Sequence, residues 1–261
     1  EGRIRKPKKL KKVTKEKEPF EIPESWVWVK LGHLFNVYNG DSISKRVKEE
    51  KYIGVEGQTY LGTKDVNYGF QPINYETEVS IPLNELDDFN TAPKGSVLVC
   101  AEGGSAGKKC GFVEQDVCFG NKLICNVPFY KTNTKLLLGY MLTDLFRNQF
   151  VESMTGIIGG ISQTNYNKLL FPLPPLEEQN RIVNKFEELL EEVRELEEKL
   201  SRQAKLDEKL QLAVNADVQQ APDTDASKSA WNFITSNFDT LYHTPEAIDN
   251  LKKNILNEAV R

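Results

Sequence analysis

Apolar positions change period along this chain, and the changes divide it. Trp26, Trp28 and Lys30 alternate with Val27, Val29 and Leu31, a strand-like run rich in β-branched and aromatic residues. Leu31, Leu34 and Phe35 then fit a short helical turn, and Asn39-Gly40 is a turn signal. YIGVEG, GSVLVCA, GKKCGFV, CFGNKLICNV and LLFPL follow as short β-rich pieces parted by Gly, Asn and Lys. KLLLGYMLTDLFRN, residues 135–148, sets Leu136, Tyr140, Leu145 and Phe146 on or near one face and predicts one helix, with a shorter one after Gln163-Thr164. Two Gly-rich loops, EGGSAGKKCG at 102–111 and TGIIGGISQT at 155–164, punctuate the region. Residues 19–172 therefore read as one α+β domain, a mixed sheet curled around its core.

The period then lengthens. Pro172, Pro174 and Pro175 each fix φ and lack an N–H, so no upstream ladder or helix is expected to continue through them. Pro175 suits a helix start, and Glu177 and Glu178 fall in the first turn, where the macrodipole favours carboxylates. Ile182, Phe186, Leu189, Val193, Leu196 and Leu200 step by 4, 3, 4, 3 and 4, a coiled-coil seam. The register slips at Gln203, and Leu206, Leu210 and Ala213 restore a stripe in a shifted phase. A helix over 176–213 would be about 57 Å long at ~1.5 Å per residue. The polar stretch NADVQQAPDTDASKS predicts a loop at about 214–228, with Pro222 inside it. Terminal helices are expected at about 229–260. Trp231, Ile234, Phe238 and Leu241 share one face, and Thr244-Pro245-Glu246 is a start signal. Ile248, Leu251, Ile255 and Ala259 give the last helix an apolar face. A seam needs a partner, which this helix would supply by folding back as an antiparallel coiled coil, or which a second protomer would supply.

Charge alters this picture only when it is divided along the chain. The net charge is −4 over 261 residues. Residues 1–18 carry nine Lys/Arg against three Glu, whereas residues 173–199 carry four against nine acids. The first segment reads as an extended basic lead-in, either a solvated linker or an arm that touches phosphates. The second places acid on the expected helix. No run approaches the ~20 apolar residues of a membrane span, and no h-region marks secretion. Cys100, Cys110, Cys118 and Cys125 contain no C-x-x-C pair, so reduced core thiols in a cytoplasmic protein are expected rather than a metal site. The chain does not begin with Met, and it is expected to be trimmed or part of something longer.

Catalytic motifs fail one by one. A phosphate loop ending at Gly107-Lys108 would need Gly at position 102 and Ser or Thr at 109, where Glu102 and Lys109 stand. The same Glu102 breaks a G-x-G-x-x-G frame. Leu173 and Leu176 flank the prolines where a base-flipping methyltransferase motif needs polar and aromatic residues. His33 and His243 are too few for a multi-His centre. The expectation is a non-catalytic chain without cofactor or metal. What remains is polar loops that can reach base edges or phosphates: Lys45, Arg46, Ser105, Lys108, Lys109, Gln163 and Asn165, with Ser162 and Thr164 beside the last two. Any one of these is as readily a turn or a cap.

PLPPLEEQNRIVNKFEELLEEVRELEEKL resembles the conserved region of specificity subunits of type I restriction-modification systems. EGRIRKPKK, PFEIPESWVWVKLG, SQTNYNKLLFPLPPLEEQ and WNFITSNFDTLYHTPEAIDNLKKNILNEAVR carry the same likeness, while residues 40–160 match only in style. The resemblance implies a target-recognition domain that reads half of a split duplex-DNA site. It further implies helices that set a spacing and dock methyltransferase subunits, and a complex that includes the restriction/translocase subunit. Adenine methylation and cleavage would belong to those partners. A full subunit of this kind has two recognition domains and two helical regions, and this chain has one of each. It is thus expected to be the distal half of a longer subunit or a half-length one that pairs with itself through the seam Ile182, Phe186, Leu189, Val193, Leu196 and Leu200. The competing reading is a structural coiled-coil protein without DNA readout.

Overall fold

The structure is a computed structural model that describes residues 13–15, 18–155, 159–219 and 224–260. Most of the basic lead-in, residues 156–158 of the second Gly-rich loop and Pro222 lie outside the described residues. The elements run β1 (Val27–Lys30), α1 (Leu31–Leu34), β2 (Phe35–Asn39), α2 (Lys45–Val47), β3 (Gln58–Leu61), β4 (Ser80–Ile81), β5 (Thr91–Ala92), β6 (Val97–Cys100), β7 (Cys110–Phe112), β8 (Val117–Phe119) and β9 (Leu123–Pro128). Then come α3 (Thr134–Met141), α4 (Asp144–Glu152), α5 (Gln163–Tyr166), β10 (Leu170–Leu173), α6 (Leu176–Gln219), α7 (Thr224–Ser236), α8 (Phe238–Leu241) and α9 (Pro245–Val260).

The strands form three sheets rather than one curled sheet, in the orders β1-β10, β2-β9-β6-β7 and β4-β3-β8-β5. Side chains alternate across a strand, and this sorts the four-stranded antiparallel sheet into two cores. Val97, Val99 and Ile124 face the helices, packing with Leu137, Phe146, Phe150 and Tyr166. Leu98, Cys100, Leu123 and Cys125 face the other way, onto Leu61, Val117 and Phe119 of the third sheet. That third sheet is mixed, with β3 parallel to β8 and β5 antiparallel to it. The one deeply buried amide in the middle layer, Asn126, is satisfied on both sides. Its Nδ2 donates to Val97 O at 3.1 Å and its Oδ1 accepts from Tyr166 Oη at 3.0 Å.

Four expectations need correction. The helix predicted over 135–148 is two helices, because Leu142 ends α3 and Thr143 turns extended (φ −79°, ψ 153°). The Thr143 hydroxyl caps α4 by accepting from Phe146 N at 3.3 Å, and the turn brings the Tyr140 and Phe146 rings to 5.8 Å. Thr143→Ala is expected to cost ~1 kcal/mol, lowering a circular-dichroism melting midpoint by about 2–4 °C. YIGVEG forms no strand. Lys48–Tyr52 is a π-helical turn, and only Ile53 bridges to Val79 before Gly54 turns the chain at φ +70°. Pro172 does lie in a ladder, opposite Trp28, because β10 has a single neighbour and the missing N–H falls on the open edge. Lastly, the expected loop at 214–228 is helical at both ends. Val214 and Val218 keep an i, i+4 apolar spacing through the polar stretch, so α6 runs 44 residues, about 66 Å at ~1.5 Å per residue.

The chain divides into two compact units, and the break falls between Lys185 and Phe186, inside α6. The first turns of α6 thus belong to the first unit. Gln179, 3% exposed, accepts from Asn133 N at 3.0 Å and donates to Pro174 O at 2.9 Å. Asn133 in turn donates to Asn180 Oδ1 at 3.1 Å and caps α3 through Lys135 N. In the second unit Val214 and Val218 pack with Ile234, Leu241, Tyr242, Ala247 and Leu251. Tyr242 Oη donates to Asn215 Oδ1 at 3.2 Å, and Thr244 caps α9 by accepting from Ala247 N at 3.2 Å. The terminal helices therefore fold back on the far end of α6 and not along the predicted seam. Ile182 and Phe186 are half-buried, while Leu189, Val193, Leu196 and Leu200 are 48%, 49%, 57% and 69% exposed. Among the described residues no helix is long and apolar enough to cross a membrane.

Candidate nucleic-acid interface

The two Gly-rich loops are laced together by backbone. Gly103 N donates to Gly159 O and Ile161 N to Ala101 O, both at 3.0 Å. Gly107 must be glycine twice over: its φ is +67°, and a Cβ there would lie 2.7 Å from the Phe150 ring. Within the first loop Ser105 is a structural pivot. Its carbonyl accepts from Lys108 N at 3.0 Å and Lys109 N at 3.2 Å, and its side chain bonds to Cys100. Lys108 is exposed and its Nζ curls back to Gly104 O at 3.1 Å.

Lys109 leaves this loop in another direction. Its Nζ donates to Thr63 O at 3.2 Å and stands 5.1 Å from the centroid of the Tyr68 ring, which is 56% exposed. The turn that presents Thr63 and Tyr68 follows β3 and is tied down by Asp65. Only 5% exposed, this carboxylate accepts from Gly62 N at 2.8 Å, and its backbone carbonyl accepts from Asn74 N at 2.8 Å. A third segment joins from the other side. Lys48 Nζ lies 4.4 Å from the Tyr60 ring centroid. Burial holds Lys48 below its ordinary pKa, Asp65 opposes that shift and Lys64 adds to it, so the three side chains share one field. Among the described residues Lys48, Lys64, Lys108 and Lys109 make no ion pair with a carboxylate.

The other predicted contacts have different surroundings. Lys45 and Arg46 lie on α2, which Ser44 caps, and each meets a carboxylate one turn on, Glu49 at 3.7 Å and Glu50 at 2.8 Å. Both are exposed, so these pairs are worth a few tenths of a kcal/mol, roughly 0.3–0.5, and yield readily to a phosphate. Gln163 and Asn165 are braces. Gln163 Nε2 donates to Val37 O, and Asn165 Nδ2 donates to Ser153 O at 3.2 Å while its Oδ1 accepts from Lys168. Sequence reasoning missed Lys48, Lys64 and Tyr68. The signal was GTKDVNYG, a Gly-bounded polar turn holding both a Lys and an aromatic.

Among the described residues no group of His, Cys, Asp and Glu could hold a metal ion. The four cysteines are buried free thiols, and burial pushes Cys110 up to about 12 and Cys118 and Cys125 up to about 11. The arrangement offers ammonium donors, loop backbone and an aromatic face, which is a set for binding a polyanion.

Known proteins resemble this chain over most of its length. The chain is 26% identical over 199 residues to the specificity subunit of the type I restriction enzyme EcoAI of Escherichia coli, covering 73% of this chain and 33% of that protein. It is 24% identical to the EcoEI specificity subunit of the same organism, over 100% of this chain and 44% of the relative. The chain thus spans less than half the length of these relatives. Two solved structures share its fold. One is the HsdS subunit of Thermoanaerobacter tengcongensis, with a TM-score of 0.52, 22% identity, and 70% and 42% of the two chains covered. The other, from work on complex assembly and conformational transition of the type I R-M system, gives 0.55, 21%, and 71% and 43%. A family model, the type I restriction modification DNA specificity domain, matches residues 23–206, from ahead of β1 to deep inside α6. With well over half its length so matched, this chain belongs to the type I restriction modification DNA specificity domain family.

Proposed function

We propose that this chain reads one half of a bipartite duplex-DNA site for a type I restriction-modification complex, and that it does so without chemistry of its own. The observation that carries the reading is the surface where three separate segments bring Lys48, Lys64 and Lys109 together without carboxylate ion pairs, near the exposed Tyr68, with Lys108 on the same Gly-rich loop as Lys109. Methylation and cleavage belong to methyltransferase and restriction/translocase subunits. The helix α6 acts as spacer: about 66 Å exceeds one DNA turn of roughly 34 Å, the scale a split site requires. Its uncovered seam pairs with a second helix, from another copy or from the other half of a longer subunit.

The test is to express the chain with its neighbouring methyltransferase and map methylated adenines across the host genome. A split palindromic motif supports both DNA reading and self-pairing, and an asymmetric split motif supports a second, different recognition domain. In vitro, the complex should lose duplex affinity with salt at a log–log slope of roughly −3 if Lys48, Lys64 and Lys108 each meet a phosphate. The exposed seam by itself also fits a coiled-coil protein without DNA readout, which predicts no such slope and no new methylation.

A further inference from the structure

Of the four lysines of this surface, Lys109 has its ammonium held both by a hydrogen bond to another segment and by an aromatic face, whereas Lys48, also half-buried, meets only the Tyr60 ring among the described residues. Lys64 and Lys108 are exposed, and Lys108 is held only by its own loop. Lys109 is half-buried, and two fixed neighbours from a different segment position its ammonium: the Thr63 carbonyl at 3.2 Å and the Tyr68 ring at 5.1 Å. Its backbone is fixed as well, because Lys109 bridges to Tyr68 and its carbonyl accepts from Cys100 N at 2.9 Å at the end of β6. An ammonium carries three donors. One is committed to Thr63, which leaves two on a head group that has already lost much of its freedom. Lys48 and Lys64 supply positive charge alongside, and the nearby Asp65 is turned inward onto Gly62 N.

A mobile lysine on a loop meets phosphates as a point charge and pays side-chain entropy to do so. An immobilised lysine with two directed donors suits a fixed pair of acceptors. In a major groove that pair is O6 and N7 of guanine, whereas adenine offers N7 beside a donor. Resting on the DNA-reading role proposed above, we infer that Lys109 and Tyr68 form one base-reading element directed at a guanine of the half-site, with Lys48 and Lys64 on the flanking phosphates. Tyr68 aims Lys109 with the face of its ring, and its exposed part covers the neighbouring base or sugar. Gln163 and Asn165 take no part, since their amides brace α5 to β2 and to the end of α4.

The methylated motif of the co-expressed complex tests this directly. Lys109→Met should make one guanine position of one half-site degenerate, with a loss of discrimination there on the order of 10- to 100-fold. Every other position and the spacer should stay as they were. Tyr68→Ala removes a largely exposed ring and should loosen the same position more weakly, while Tyr68→Phe, which keeps the ring face, should preserve the motif. Lys48→Met and Lys64→Met should leave the motif intact, weaken binding uniformly and each reduce the salt slope by about 1. An unchanged motif in both Lys109→Met and Tyr68→Ala overturns the element while DNA reading stands, as does degeneracy at a non-guanine position. If Lys109→Met does not fold, Tyr68→Ala decides alone. Absence of any motif for the unsubstituted complex overturns the DNA-reading role itself, which keeps the two failures apart.

Discussion

Gly40→Ala is expected to cost ~4 kcal/mol or more and to lower the melting midpoint by roughly 8–16 °C. Gly40 follows β2 at the point where the chain leaves the middle sheet and crosses the end of β8. A Cβ there would lie 1.9 Å from the Phe119 carbonyl oxygen and 2.5 Å from its carbon. That carbonyl cannot swing away, because it already accepts from Asp41 N at 2.9 Å and because Phe119 is fully buried in the second core. The obstacle is backbone on both sides, so no rotamer change relieves it. Gly139→Ala is the contrast. It sits inside α3 with nothing within 4 Å of the added atom, so the substitution should stabilise the helix by about 0.5–1 kcal/mol. Thermal melts of both variants check the pair. A Gly40→Ala protein that melts within 2–3 °C of the parent would mean the two sheets do not meet as closely as described.

Replacing Leu189, Val193 and Leu196 together by Glu is expected to abolish pairing through α6 and, with it, methylation by the complex. Each side chain leaves about half of its surface in water in the single chain, so the fold itself should not need them. Burying the exposed half of one such side chain is worth about half of the roughly 1.5–3 kcal/mol of full burial, so the loss of three weakens association on the order of 100- to 1,000-fold, and the added charges weaken it further. Sedimentation or light scattering reads the change in mass, and the melting midpoint should hold. Leu212→Glu, also exposed but off the seam, should leave the assembly intact. Salt then identifies the partner. Residues 173–199 carry four basic and nine acidic groups, so two copies repel along the seam and added salt should tighten them. A basic helix from a different chain would give the opposite response. A triple variant that still pairs and methylates would remove α6 as the joining surface.

The readable parts of this chain were those where local chemistry and tertiary packing agree. Pro175 before α6 and Thr244-Pro245 before α9 are start signals that depend on the backbone alone, and both helices begin there. Helix ends were harder. The run from Lys135 to Asn148 keeps an apolar face straight through Thr143, and only the pull of Tyr140 and Phe146 toward one core favours capping over continuation. Polar Asn215 and Asp217 suggested a loop because the two valines around them have their partners far ahead in sequence, on α7 to α9. The site divided in the same way. Lys108 and Lys109 were visible as a Gly-rich loop. Lys64 and Tyr68 join it only because β3 runs parallel to β8 and carries its following turn across to the loop, a crossing that no local pattern encodes, and Lys48 comes in from the turn ahead of β3.

The pairing of β1 with β10 has a consequence for how such a chain can change. Val27 lies opposite Leu173, so the stretch between them, which holds every strand and helix from α1 to α5, starts and ends side by side through two hydrogen-bonded strands. The lysines and Tyr68 proposed to meet DNA hang between those ends, and none of them lies on the two-stranded clasp of β1 and β10. A stretch bounded by the clasp can therefore be exchanged for a different one as a cassette, with a new specificity and an unchanged junction. The exchange carries one requirement. Gln179 lies outside the cassette and seats on the backbone N–H of Asn133 inside it. An incoming segment must offer a socket at that point, or the helix that follows loses its footing.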